Sequence, residues 1–128
     1  GYIGWPSPSG MGDERRAGWE EACGFDIRDR LRYQIVTLDG VDEGVRSARE
    51  LLALDAPPDA IVCASDSLAL GARMAADAAG LLDLPVVGFD NTPVAAAVGL
   101  SSIDQPLDDV VAVALTQLFG PTGGTVRP

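Results

Sequence analysis

The sequence predicts an α/β domain: a doubly wound parallel sheet of about five strands, with helices on both faces. Three observations carry that reading. Short apolar runs alternate with helix-periodic segments along nearly the whole chain. The run at residues 60–64, Ala-Ile-Val-Cys-Ala, is apolar throughout, as a strand covered on both faces is. The chain has 128 residues, 47% hydrophobic and 22% charged, which suits one unit large enough for its own core. Right-handed crossovers between such strands produce the doubly wound arrangement.

Each element has its own signal. Residues 2–5 predict a short first strand, and Pro6, Pro8, Gly10 and Gly12 a loop after it. Asp13 is expected to N-cap a helix reaching about Ala22, with Gly24 as its stop. Residues 33–38 predict the second strand. In the next helix Val41, Val45, Ala48, Leu51 and Leu52 recur at helical spacing, and Glu43, Arg46, Arg49 and Glu50 fall on other faces. Pro57 and Pro58 end it. After the third strand, at residues 60–64, Ser65 and Asp66 are expected to cap a helix carrying Leu68, Ala69, Ala72, Ala76 and Ala79, with Gly80 as its stop. Residues 85–89 predict strand four, 94–98 a short helix and 99–103 strand five. The last helix is expected from about Leu107 to Phe119, stopped by Gly120 and Pro121, and residues 121–128 read as a flexible tail.

Composition excludes several chemistries. All nine positive residues are arginines, and the formal net charge is −10. Without lysine there is no Walker A phosphate loop and no Schiff-base chemistry. Without histidine there is no Ser-His-Asp triad and no His-ligated zinc. The negative charge opposes the phosphate neutralisation that nucleic-acid binding needs. No apolar run approaches the ~20 residues of a membrane span. Cys23 and Cys63 are not in a metal-ligand spacing and read as buried free thiols. The chain starts at Gly1 inside a strand-like run, without a signal peptide, and reads as a piece of a longer protein.

In an open parallel sheet, ligands bind beyond the carboxyl ends of the strands. The strand exits here carry Trp5-Pro6-Ser7, Asp39, Ser65-Asp66, Asp90-Asn91 and Asp104-Gln105, so every strand brings a polar group to one edge. Asp and Ser are also common caps and turn formers, and Asp66 reads chiefly as a cap. Carboxylates, amides, hydroxyls and guanidinium with a Trp suit a neutral polyol such as a sugar. Trp5 and Trp19 stay open between ring stacking and core packing, and Arg15 between ligand contact and a solvated helix surface. A receiver domain would need an acidic pair after strand one and a lysine after strand five. A dinucleotide site would need G-x-G-x-x-G directly after strand one, where only the G-x-G of Gly10 and Gly12 stands. A G-x-S-x-G elbow is absent.

Several segments together resemble the effector-binding core of LacI/GalR-type bacterial transcription regulators, which is similar in fold to periplasmic sugar-binding proteins. They are Gly1-Tyr2-Ile3-Gly4 leading into Arg15-Arg16-Ala17-Gly18-Trp19, Gly44 through Leu52, and Pro58 through Gly71 with its A-x-D-x-x-A-L-G block. Leu84 through Thr92, with P-V-V-G-F-D, and Leu100 through Pro106 complete the set. The resemblance implies a cytoplasmic, non-enzymatic sensor of a small, sugar-like effector, without a cofactor and without membrane contact. Arg15 would contact effector hydroxyls or an anionic group, and Asp90 would anchor the sugar. Ser65, where many members carry Asn, Asp39 and Gln105 would line the pocket with Trp5. Residues 1–104 would form the C-terminal subdomain, and residues 105–120 the crossover and a helix belonging to a missing N-terminal subdomain. The apolar face of that helix, with Val110, Val111, Ala114, Leu115 and Leu118, would dock elsewhere or pair with another copy. A homodimer would form through Leu70, Met74, Val98 and Leu100, and operator DNA would be bound only by a missing headpiece. Two rivals remain. One is a solute-binding protein of an uptake system, marked by a signal peptide upstream where a regulator has a helix-turn-helix. The other is an enzyme holding Mg²⁺ through Asp39, Asp90 and Asp104.

Overall fold

A computed structural model of the chain describes residues 1–120. The elements are β1 (Tyr2–Gly4), α1 (Met11–Cys23), α2 (Ile27–Tyr33), β2 (Gln34–Val36), α3 (Val41–Leu52), β3 (Ile61–Cys63), α4 (Asp66–Ala78), β4 (Val86–Phe89), α5 (Pro93–Ala97), β5 (Ser101–Ile103) and α6 (Leu107–Phe119). All strand pairs are parallel, in the order β2-β1-β3-β4-β5. The predicted fold class is the one found. The chain leaves β1 toward one side of the sheet and β3 toward the other, so the strand order reverses between these two neighbours. At such a switch point a crevice opens at the strand tips.

The core explains the order of the layers. Ile3, Ile61, Cys63 and Leu68 are fully buried with Tyr2 and Leu51, each large aliphatic side chain contributing about 1.5–3 kcal/mol. Helices α3 and α4 pack through small residues. A Cβ at Gly71 would strike the backbone of Val41 and Val45, and one at Gly44 the backbone of Leu68. A Cβ at Gly88 would meet Ala69, which places that side of β4 under α4. Val87 and Phe89, alternating with it, therefore face the α1 side.

Several expectations need correction. Gly10, not Asp13, is the N-cap of α1, and Asp13 instead accepts a hydrogen bond from the Ser9 N–H at 2.8 Å. That bond, with further help from Ser7 and Arg16, holds the Asp13 carboxyl below its usual range. The second strand is shorter than expected at both ends: helix α2, unforeseen, occupies residues up to Tyr33, and the strand ends at Val36. Cys63 is buried, and burial pushes its thiol up, but Cys23 is exposed. Helix α6 has the expected bounds and no buried residue, so its apolar face does not dock on this unit. The tail expected at 121–128 lies outside the described residues.

Candidate functional site

Helix α1 presents Gly12, Arg15 and Trp19 at helical spacing toward the sheet. Trp19 is buried and stacks on Tyr2 with ring centroids 5.5 Å apart, so this tryptophan belongs to the core. The Tyr2 hydroxyl donates to the Gly12 carbonyl at 3.2 Å and ties the first turn of α1 to β1. Burial pushes that phenol up to about 12. These contacts fix the roll of α1 and bring Arg15 over the tips of β3 and β4.

Arg15 is 9% exposed. Its Nη1 donates to the Ala64 carbonyl, at the exit of β3, and its Nη2 lies 3.3 Å from Asp90 Oδ1, at the exit of β4. The guanidinium stands 4.5 Å from the Phe89 ring centroid and 5.7 Å from that of Trp5. Gln105 Nε2 donates to the same Asp90 Oδ1. A second group forms beside it. Asp39 Oδ1 accepts from Trp5 Nε1 at 3.3 Å and from the Ser65 hydroxyl. Ser65 follows Ala64 directly, and Trp5 flanks the guanidinium, so the two groups adjoin across the β1–β3 switch point.

Trp5, Arg15, Asp39, Ser65, Asp90 and Gln105, all expected from sequence, are thus linked by hydrogen bonds or ring contact at one edge of the sheet. Asp66 is different. Ser65 is the N-cap of α4, accepting from the Leu68 N–H at 3.2 Å. Asp66 is buried and accepts from the Thr92 N–H at 2.7 Å, the Thr92 hydroxyl at 2.9 Å and the Ser102 hydroxyl at 2.5 Å. It therefore joins the exits of β3 and β4 to β5 rather than capping its helix.

Sequence reasoning did not find Phe89 or the Ala64 carbonyl. The period of two along β4 would have placed Phe89 opposite Gly88, on the α1 side, but nothing in the residue types names a backbone acceptor. Asp39, Asp90 and Asp104 do not gather as a magnesium set; among the described residues no group of three or more such side chains does. A hollow of about 680 Å³ runs between α1 and the β3–β5 face and is lined mainly by apolar side chains such as Met11, Trp19, Val87 and Ile103. Only Arg15 and Gln105 of the polar cluster reach its edge, and most of it is bare sheet surface.

Residues 1–127 match the family model of the periplasmic binding protein-like domain. The chain belongs to that family. This periplasmic binding protein-like domain is 34% identical over 123 residues to the HTH-type transcriptional regulator reg1 of Streptomyces lividans, covering 92% of this chain and 32% of that protein. It is 33% identical over 125 residues to the HTH-type transcriptional repressor PurR of Escherichia fergusonii, covering 93% of this chain and 37% of that one. Among solved structures, a regulatory protein of the LacI family from Chloroflexus aggregans matches with a TM-score of 0.76 at 27% identity, over 94% of this chain and 48% of that chain. A lac repressor dimer bound to operator and an anti-inducer shares the fold, with a TM-score of 0.78 at 24% identity, over 91% of this chain and 42% of that chain. The domain spans about a third of the length of these curated relatives. No helix among the described residues is long and apolar enough to cross a membrane.

Proposed function

We propose that this domain senses a small, sugar-like effector within a DNA-binding transcriptional regulator and performs no catalysis. The observation that carries the reading is the six-residue polar cluster at the switch point of a domain whose relatives are HTH-type regulators. Carboxylate, amide and hydroxyl groups next to an indole ring suit a polyol, which needs both hydrogen-bond partners and a flat apolar face. Residues 1–104 act as the C-terminal subdomain of the effector-binding unit. Residues 105–120 lead to the other subdomain, a division supported by the absence of any buried residue in α6. An effector held between two subdomains favours one relative orientation and so shifts the population of DNA-competent molecules. DNA contact belongs to a separate headpiece, which the net charge of −10 on this chain is consistent with.

In the protein carrying that headpiece, Asp90→Ala and Arg15→Ala are expected to abolish the effector response in an operator-binding assay and to leave operator binding intact. Normal responses from both variants would refute the site.

The regulator acts as a homodimer through α4 and the segment after Asn91. Leu70, Val98 and Leu100 line a groove of about 320 Å³, and Met74 and Val98 are 51% and 55% exposed. Burying this patch against a second copy removes apolar surface from water. Met74→Asp is expected to shift the sedimentation of the regulator from dimer to monomer; an unchanged dimer would place the interface elsewhere.

A further inference from the structure

We infer that this site selects effectors that donate hydrogen bonds and carry no negative charge, and that Asp39 sets this preference together with Asp90. The inference rests on the sensor reading above and specifies the class of ligand it takes.

Each carboxylate commits one oxygen to the protein. Asp90 Oδ1 accepts from Arg15 and Gln105, and Asp39 Oδ1 accepts from Trp5 and Ser65. Among the described residues, no hydrogen bond reaches the Oδ2 of either. Asp39 is exposed and Asp90 about one third exposed, so both second oxygens are open to a ligand. An ionised carboxylate oxygen only accepts, so the ligand must donate. Sugar hydroxyls donate, and an ammonium does so with added attraction.

Arg15 does not offset this. Its guanidinium is already matched by Asp90, engaged by the Ala64 carbonyl and stacked on Phe89 at 4.5 Å, with the side chain 9% exposed. It acts as a positioning residue that holds Asp90 in place, and it does not present a free cation to an anionic effector. The Arg15–Asp90 pair carries no net charge, so a phosphate or carboxylate on the ligand would meet the charge of Asp39, which no ion pair offsets among the described residues. The rigid partners on each Oδ1 also mean that neither carboxylate can turn away without losing two hydrogen bonds.

The test uses the regulator that carries both subdomains, titrated calorimetrically with glucose, galactose, maltose, glucosamine and the 6-phosphates of glucose and galactose. The preferred neutral sugar is expected to bind about tenfold or more tightly than its phosphate, and glucosamine at least as tightly as glucose. Asp39→Asn should narrow the gap between sugar and phosphate several-fold. Asp83→Asn, which changes the net charge equally at the opposite end of β4, should leave it unchanged. A phosphate that binds as well as its parent sugar, or an equal effect from Asp83→Asn, would overturn the inference and leave the sensor reading standing. Binding of no compound in the panel would overturn the sugar reading itself, and this inference with it.

Discussion

Asp90 has φ 100 and Asn91 φ 45, two successive non-glycine residues in a region that side chains rarely occupy. Backbone of this kind costs about 1–3 kcal/mol per residue and persists where surrounding contacts hold it. Here the Asp90 N–H donates to the Ile103 carbonyl at 3.0 Å, and the Asn91 N–H to the Ser102 hydroxyl at 2.9 Å. Behind them Asp66 gathers three donors from Thr92 and Ser102, so one buried carboxylate stabilises the loop that carries the proposed sugar anchor. Asp66→Ala leaves those donors unpaired and is expected to lower the unfolding free energy by about 3 kcal/mol. Urea denaturation checks it; a loss below about 1 kcal/mol would mean that water satisfies the donors. The polar character of every strand exit was legible in the sequence. The division of labour between Asp66 and Asp90 was not, because both are aspartates in similar positions and only the fold decides which one is buried.

At the scale of elements, the join between α3 and α4 is the least tolerant. Gly71 faces the backbone of Val41, Gly44 and Val45, and backbone cannot yield as a side chain can. Gly71→Ala is expected to cost about 1–3 kcal/mol, from overpacking. A Cβ added at Gly18, in α1, would meet nothing within 4 Å; Gly18→Ala should stabilise by up to ~1 kcal/mol through helix propensity. Thermal unfolding of the pair checks both signs, and equal effects would contradict the close approach. Helix α3 could be predicted because its apolar residues keep strict helical spacing. Helix α2 could not, because seven residues with Arg28, Asp29, Arg30 and Arg32 among them leave no apolar stripe to read. Its one signal was Asp26, whose carboxylate accepts the Asp29 N–H at 2.9 Å as an N-cap does.

Across the whole molecule, a parallel sheet sends all its strand exits to one edge, and that rule made the candidate site legible from the order of the residues. What the sequence leaves open is how α1 rolls across that edge. The Tyr2–Trp19 stack and the Tyr2–Gly12 hydrogen bond settle the roll, and with it the reach of Arg15 to Ala64 and Asp90. The same geometry leaves α6 with its apolar residues in solvent, Leu118 and Phe119 being 73% and 81% exposed. Its apolar face was expected to dock elsewhere or to pair with another copy, and the bare sheet between α1 and β5 does not receive it. A crystal structure of the chain grown with a neutral sugar at high concentration tests the shared strand-tip site most directly. Sugar density against Asp39, Asp90 and Gln105, beside the Trp5 ring, is the predicted result. Sugar seated instead at the opposite edge, near residues 57–60 and 81–85, or in the apolar hollow under α1, would contradict it.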